Sequence, residues 1–228
     1  MEMSGVPRLT TVQRTVLASA FACLACLLLG IGFVEWASRA WLSPEVQGRV
    51  RLGDPAQDPD SARFAYPVTF TRIRQTRGAL SALGRRVRVG TRVDVLVYDF
   101  SLGGQPRRVF SKAMRRFHSC DIAGWNQQGI HLLYWDEDRH HHLIINPDQG
   151  TVSSVPLSES KAVVDSLRRA EYAMEHGGRR PGISVSLMRF YATDPKTGDR
   201  RLLFDQGLVY DGIPLADTSE IARMRRDE

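Results

Sequence analysis

Polar and apolar positions follow three different patterns along this chain. From Thr15 to Val34 there is no charged residue. Twenty helical residues at 1.5 Å each span about 30 Å, the thickness of a bilayer's hydrocarbon core. From Arg86 to Phe100 the period is two, with Val87, Val89, Val93, Val95 and Val97 on one side and Arg86, Arg88, Arg92 and Asp94 on the other. That alternation predicts a strand or tight hairpin with one buried and one charged face, turning apolar on both faces at Leu96, Tyr98 and Phe100. From Ser158 to His176 the apolar residues Val163, Val164, Leu167, Ala170 and Met174 recur at helical spacing, with Ser158 as cap and Gly177 as stop. This predicts an amphipathic helix of about five turns.

Shorter β signals fill the rest. Strands are expected at Phe64–Ile73, Arg108–Phe110, Ile130–Trp135, His142–Ile145, Thr151–Val155, Ile183–Tyr191 and Arg201–Phe204. Turn chemistry separates them at 136–138, 146–150 and 194–199, where Asp, Asn, Pro and Gly cluster. Residues 74–85 read as a turn or short helix. Residues 43–62 mix Pro, Gly and Asp without periodicity and read as a linker. The expected organisation is a short tail (1–14), a transmembrane signal-anchor helix (15–34), a linker (35–62) and a soluble β-rich domain (63–228). The fold class is mainly β, an antiparallel sandwich or partial-barrel or propeller-like meander, with one amphipathic helix and one N-terminal transmembrane helix.

An internal echo supports the meander. LVYDFSLGGQPRRVF, LIINPDQGTVSSV and RFYATDPKTGDRRLLF each read strand, turn with Gly, strand, and Gly104, Gly150 and Gly198 lie 46 and 48 residues apart. The stretch GIHLLYWDEDRHHHLIINPDQGTVSSVP resembles a blade hairpin of the TolB or WD40-like kind, which implies a propeller. About 185 soluble residues hold at most four blades, and propellers generally need four to eight. A compact sandwich or barrel-like sheet is therefore preferred.

The flanks of the apolar stretch set its meaning. Arg8 and Arg14 precede it; Glu35, Trp36, Arg39 and Trp41 follow, the tryptophans at the level of an interfacial aromatic belt. The run is longer than the core of a cleaved signal peptide, and the residues around Cys23 and Cys26 make a poor lipobox. The layout predicts an inner (cytoplasmic) membrane protein with a cytoplasmic N-terminus and an extracytoplasmic domain. Ala18, Ala22, Cys26 and Gly30 recur every four residues, a small-residue stripe suited to packing against another membrane helix.

Charge narrows the partners. The net charge is +6, of which residues 1–43 supply +1. A basic domain favours anionic lipid or glycan, and Arg86, Arg88 and Arg92 are the candidate face for it. Nucleic acid is not expected for a domain outside the cytoplasm. Of three cysteines, only Cys120 lies in the soluble part, so no internal disulfide can staple it.

Candidate chemistry is sparse. His140, His141 and His142 sit beside Asp136, Glu137 and Asp138. Alternation on a strand lets only His140 and His142 share a face, with His131 across the hairpin as third ligand for a divalent transition metal. Cys120 and His118 would share a strand face, a weak thiol site. No GxSxG elbow, P-loop or HExxH occurs, so no catalytic residue is assigned. The expected function is a membrane-anchored domain that binds a partner or supports assembly of an envelope complex. The alternative is an anchored enzyme acting on an envelope polymer or ligand, with metal assistance.

Overall fold

The structure is a computed structural model describing residues 10–40, 42–76, 86–115, 117–177, 181–216 and 219–227. The tail before residue 10, Arg8, Trp41 and most of the 74–85 segment lie outside the described residues. The chain divides into two compact units, 1–44 with 75–87 and 45–74 with 88–228.

The first unit carries helix α1, Thr11–Ala40. Its start is a capping box. The Thr10 amide donates to Gln13 Oε1 at 2.9 Å, and the Gln13 amide donates to Thr10 Oγ1 at 3.4 Å. Within it, Thr15–Phe33 is apolar and long enough to cross a membrane, and none of it is buried.

The second unit is mainly antiparallel β. Strands β1 (Leu42–Leu52), β2 (Ala56–Gln57), β3 (Arg63–Thr76), β4 (Arg86–Asp99) and β5 (Arg107–Met114) make a sheet in the order β1-β3-β4-β5, with β2 also on β3. Strands β6 (Phe117–Asn126), β7 (Gly129–Asp136), β8 (Arg139–Asn146) and β9 (Thr151–Ser154) make a four-stranded meander. Helix α2 (Leu157–His176) follows. Strands β10 (Gly182–Ser186), β11 (Arg189–Thr193) and β12 (Arg200–Asp205) make a third sheet; β13 (Val209–Tyr210) and β14 (Ile213–Pro214) a small hairpin; and α3 (Ser219–Met224) ends the chain.

The five-stranded sheet is the central layer. One face presents Ala65, Val93, Val95 and Val97 to Ile122, Ile130, Leu132 and Ile145 of the meander. The other presents Phe64, Tyr66, Phe70, Leu96 and Tyr98 to Phe190, Phe204 and Tyr210. The second core is aromatic: Tyr66 and Phe190 lie 4.3 Å apart, and Phe190 stacks on Phe204 at 4.5 Å. Both faces of β4 are therefore buried from Val93 to Tyr98, unlike the half-charged strand its alternation predicts. The "charged" side is covered by β13–β14, and its charges are neutralised internally. Asp94, fully buried, accepts from Tyr210 Oη at 2.7 Å and from Arg92 Nε at 3.0 Å. Asp211 then bridges Arg92 and Arg108 at 2.9 and 3.1 Å.

Five strands escape sequence patterning: β1, β2, β6, β13 and β14. β1 falls in the expected linker. It is an edge strand, which tolerates its Pro44, and among the described residues Val50 and Leu52 add apolar packing to the aromatic core. β6 has bulges at Phe117/Ser119 and Ile122/Gly124, which shift its period-two register. The expected strand 183–191 is two strands. Leu187 and Met188 both have positive φ, 50° and 65°, the conformation a two-residue hairpin demands. Neither residue type favours that region, so local sequence hides the turn.

The internal echo is a repeated turn device. Asp99, Asn146 and Asp194 each accept backbone amides two and three residues on through the side chain. Each also accepts, through its carbonyl, the amide of a positive-φ glycine four residues on: Gly103, Gly150 and Gly198. The first turn thus closes on Gly103, not Gly104. The three loops belong to three different sheets.

Asp94→Ala strands two arginines against a buried cavity and is expected to cost about 3 kcal/mol in urea denaturation. Leu187→Asn with Met188→Gly supplies residues at home at positive φ and is expected to stabilise by about 1 kcal/mol, read as a higher Tm.

Candidate functional site

The site lies where α2 crosses the meander, on the face opposite the aliphatic core. Alternation turns Ile130, Leu132 and Tyr134 of β7 toward the central sheet, so His131 and Leu133 face α2. The ladder places Asp121 of β6, Leu133 of β7 and His142 of β8 in one row. His131 lies one diagonal step away, paired with Ile144.

α2 lies close over this row because β6 gives way to it. Gly124 adopts φ 150°, and a Cβ there would stand 2.9 Å from the Cβ of Leu167. The helix begins two residues earlier than a Ser158 cap predicts, at Leu157. The Pro156 carbonyl accepts the amides of Glu159 and Ser160 at 3.0 and 3.1 Å. Ser160 consequently falls in the first turn, over β8.

Three side chains then connect in series. His131 Nδ1 and His142 Nε2 are 3.0 Å apart, and His142 Nδ1 and Ser160 Oγ are 2.8 Å apart. The rings meet edge-on with centroids at 5.2 Å. His131 is 0% exposed and His142 2%. His131 Nε2 is buried with no hydrogen-bond partner among the described residues. Burial, with His142 alongside, pulls the His131 pKa down to about 4; burial lowers His142 as well. Both rings are neutral at pH 7, so each can accept a proton at one nitrogen and donate from the other.

Ser160 lines a cleft of about 520 Å³ shared with Asp121, Leu133, Leu157, Lys161 and Arg168. Burial and the Asp54 charge push the Asp121 carboxyl up, partly opposed by Arg168 and Arg51. A second cleft of about 270 Å³, with Arg51, Asp54 and Cys120 in its wall, shares Asp121 and Ser119 with the first.

Sequence reading brings His131 and His142 together, and so does the structure, which places His131 Nδ1 within hydrogen-bond distance of His142 Nε2. His140 is exposed and stacks on Trp135 at 4.5 Å. Among the described residues, no group of three or more His, Cys, Asp or Glu converges on a metal position. Cys120 is half-buried, and burial, with the Asp121 charge alongside, pushes its thiol up to about 12. His118 points elsewhere, 4.8 Å from the Trp135 ring.

Of the anionic-partner face, Arg86 and Arg88 are exposed, whereas Arg92 is held by Asp94 and Asp211. Ala18, Ala22, Cys26 and Gly30 are all exposed along α1, with nothing within 4 Å of the Gly30 position for a Cβ. Sequence reading missed Ser160, which sits inside a helical pattern where serine reads as a cap neighbour; Asp121 is one of several carboxylates that the sequence alone pairs with nothing.

The histidine pair makes stability acid-sensitive. The unfolded rings titrate near 6.5, whereas the folded pair resists protonation. Above pH 6.5 neither state is charged. As pH falls, the unfolded chain binds protons that the folded chain refuses, so stability is lost down to about pH 4. Asp121, raised, acts in the opposite sense. The double variant His131→Asn/His142→Gln isolates the histidine contribution. Between pH 7 and 4, the wild type is expected to lose about 3 kcal/mol more than the variant in urea denaturation. Set against family models, curated proteins and solved structures, the chain matches none.

Proposed function

We propose that this protein is a single-pass component of a bacterial cell envelope. In this reading α1 is an uncleaved signal anchor in the inner membrane, the N-terminus is cytoplasmic, and the β-rich domain is extracytoplasmic. There the domain binds a partner or supports assembly of an envelope complex.

The observation that carries the reading is the unburied apolar helix. Leu24, Leu27, Leu28, Leu29 and Ile31 are each more than half exposed, as are Val16, Phe21 and Phe33. Each such side chain gains about 1.5–3 kcal/mol on leaving water. Together they exceed the net stability of a typical domain, so the helix belongs in lipid or against another apolar surface. Trp36, also exposed, fits the headgroup level beyond the apolar run. The face of Ala18, Ala22, Cys26 and Gly30 suits contact with another membrane helix. Exposed Arg86 and Arg88 suit an anionic lipid or glycan. A second reading, an anchored enzyme, is favoured by one observation: the Ser160–His142–His131 chain at the wall of a cleft.

Alkaline carbonate washing of membranes followed by affinity pull-down of the full-length protein tests the first reading. The protein is expected to stay in the washed pellet, to lose its domain to protease only after the outer face is opened, and to retain a specific envelope protein. Release by carbonate, or no partner recovered, overturns it.

A further inference from the structure

We propose that Ser160 is the nucleophile and His142 the general base of a serine hydrolase site, with His131 as positioning residue, acting on small carboxylic esters that carry an anionic group. The proposal goes beyond the anchoring reading, and all three residues lie in the β-rich unit.

The geometry is that of an activated hydroxyl. A nucleophile needs a base within hydrogen-bond reach and a third group to orient that base. Ser160 Oγ is 2.8 Å from His142 Nδ1, and His142 Nε2 is 3.0 Å from His131 Nδ1. With the proton of His142 on Nε2, that nitrogen donates to His131 Nδ1, and Nδ1 of His142 is left to accept from the serine. His131 then carries its own proton on Nε2, the atom that is buried without a partner. Leaving a buried polar group unsatisfied costs about 1–3 kcal/mol. Pinning α2 to the sheet needs only the Ser160–His142 bond. The second buried histidine adds a cost that a docking role does not require.

The surroundings supply the remaining parts. A side chain in a helix leans toward the N-terminus, so Ser160 Oγ projects over the first turn of α2. The amides of Leu157 and Ser158 there have no intrahelical acceptor and lie at the positive end of the helix dipole. In the proposed reaction these amides and the Lys161 ammonium, which shares the cleft wall with Ser160, are the donors to the oxyanion. The cleft of about 520 Å³ has the size of a small-molecule site. Leu133, Leu157 and Val164 offer an apolar wall for an acyl chain, and Lys161 and Arg168, in a wall that also holds Asp121 and Asp165, offer cations for an anionic group.

The reaction balances without a cofactor. Ser160 Oγ bonds to the ester carbonyl carbon as its proton passes to His142 Nδ1. The carbon–oxygen bond to the leaving alcohol breaks, and His142 returns the proton to that oxygen. Water then attacks the acyl-serine with His142 again taking a proton. The acid leaves, and His142 restores the serine hydroxyl.

The test uses full-length protein in detergent, a fluorophosphonate probe with mass-spectrometric mapping, and p-nitrophenyl esters of acetate and succinate. The wild type is expected to carry the adduct on Ser160 and to hydrolyse the succinate ester faster. Ser160→Ala abolishes both adduct and turnover. His142→Gln, which keeps a donor and an acceptor in place, lowers kcat by about 100-fold or more with the thermal melt retained. His131→Asn lowers kcat about 10-fold with KM unchanged, a split that a purely structural role would not produce. A folded wild type that neither labels nor turns over overturns the proposal, as does labelling that survives Ser160→Ala. Neither outcome bears on membrane extraction or partner recovery.

Discussion

The β-rich unit depends on burying its central sheet from both sides. Phe64 to Phe70 and Val93 to Tyr98 are buried without interruption, so neither face of β3 or β4 can meet water. One face requires an aliphatic partner and obtains the β6–β9 meander; the other requires an aromatic one and obtains Phe190, Phe204 and Tyr210. Buried Asp94 is tolerated between these layers because Arg92, Arg108 and Tyr210 surround it and Asp211 balances the second arginine. A charge placed there without such partners would cost several kcal/mol.

The candidate site follows from that layering. Since the inner face of the meander is taken by the central sheet, its outer face must be covered separately, and α2 does so. The helix approaches closely at Gly124, where no side chain stands between β6 and Leu167. At its N-terminal end the cover is polar. Ser160 reaches His142, and His142 reaches His131, so a hydrogen-bonded chain replaces apolar contact under the first turn. The same burial that disfavours their charged forms leaves each imidazole with one donor and one acceptor nitrogen for this chain. The cleft beside Ser160 is lined from both elements, by Asp121 and Leu133 of the meander and by Leu157, Lys161, Val164 and Arg168 of α2.

Local chemistry and tertiary demand agree in most turns and disagree in one. Asp99, Asn146 and Asp194 each close a loop through their own side chains and a glycine four residues later, so those turns form wherever the strands lie. Leu187 and Met188 have no such device. They turn because β10 and β11 must both contribute to the aromatic core, and the packing of Val185, Phe190 and Phe204 outweighs the backbone cost.

Elements held by local physics were legible in the residues alone: the uncharged run of α1, the alternation of β4, the spacing of α2 and the Asx-type turns. Each rests on interactions within a few residues, whose period or side-chain chemistry the chain itself carries. What only tertiary structure decided depends on distant partners. β1 is a strand because β3 is beside it, β6 is bulged where α2 lies against Gly124, and Arg92 is ion-paired because Asp211 arrives from more than a hundred residues away. His131 and His142 were visible as a cross-hairpin pair. The hydrogen-bonded series continues from His142 to Ser160, delivered by a helix whose position over β8 no local pattern encodes.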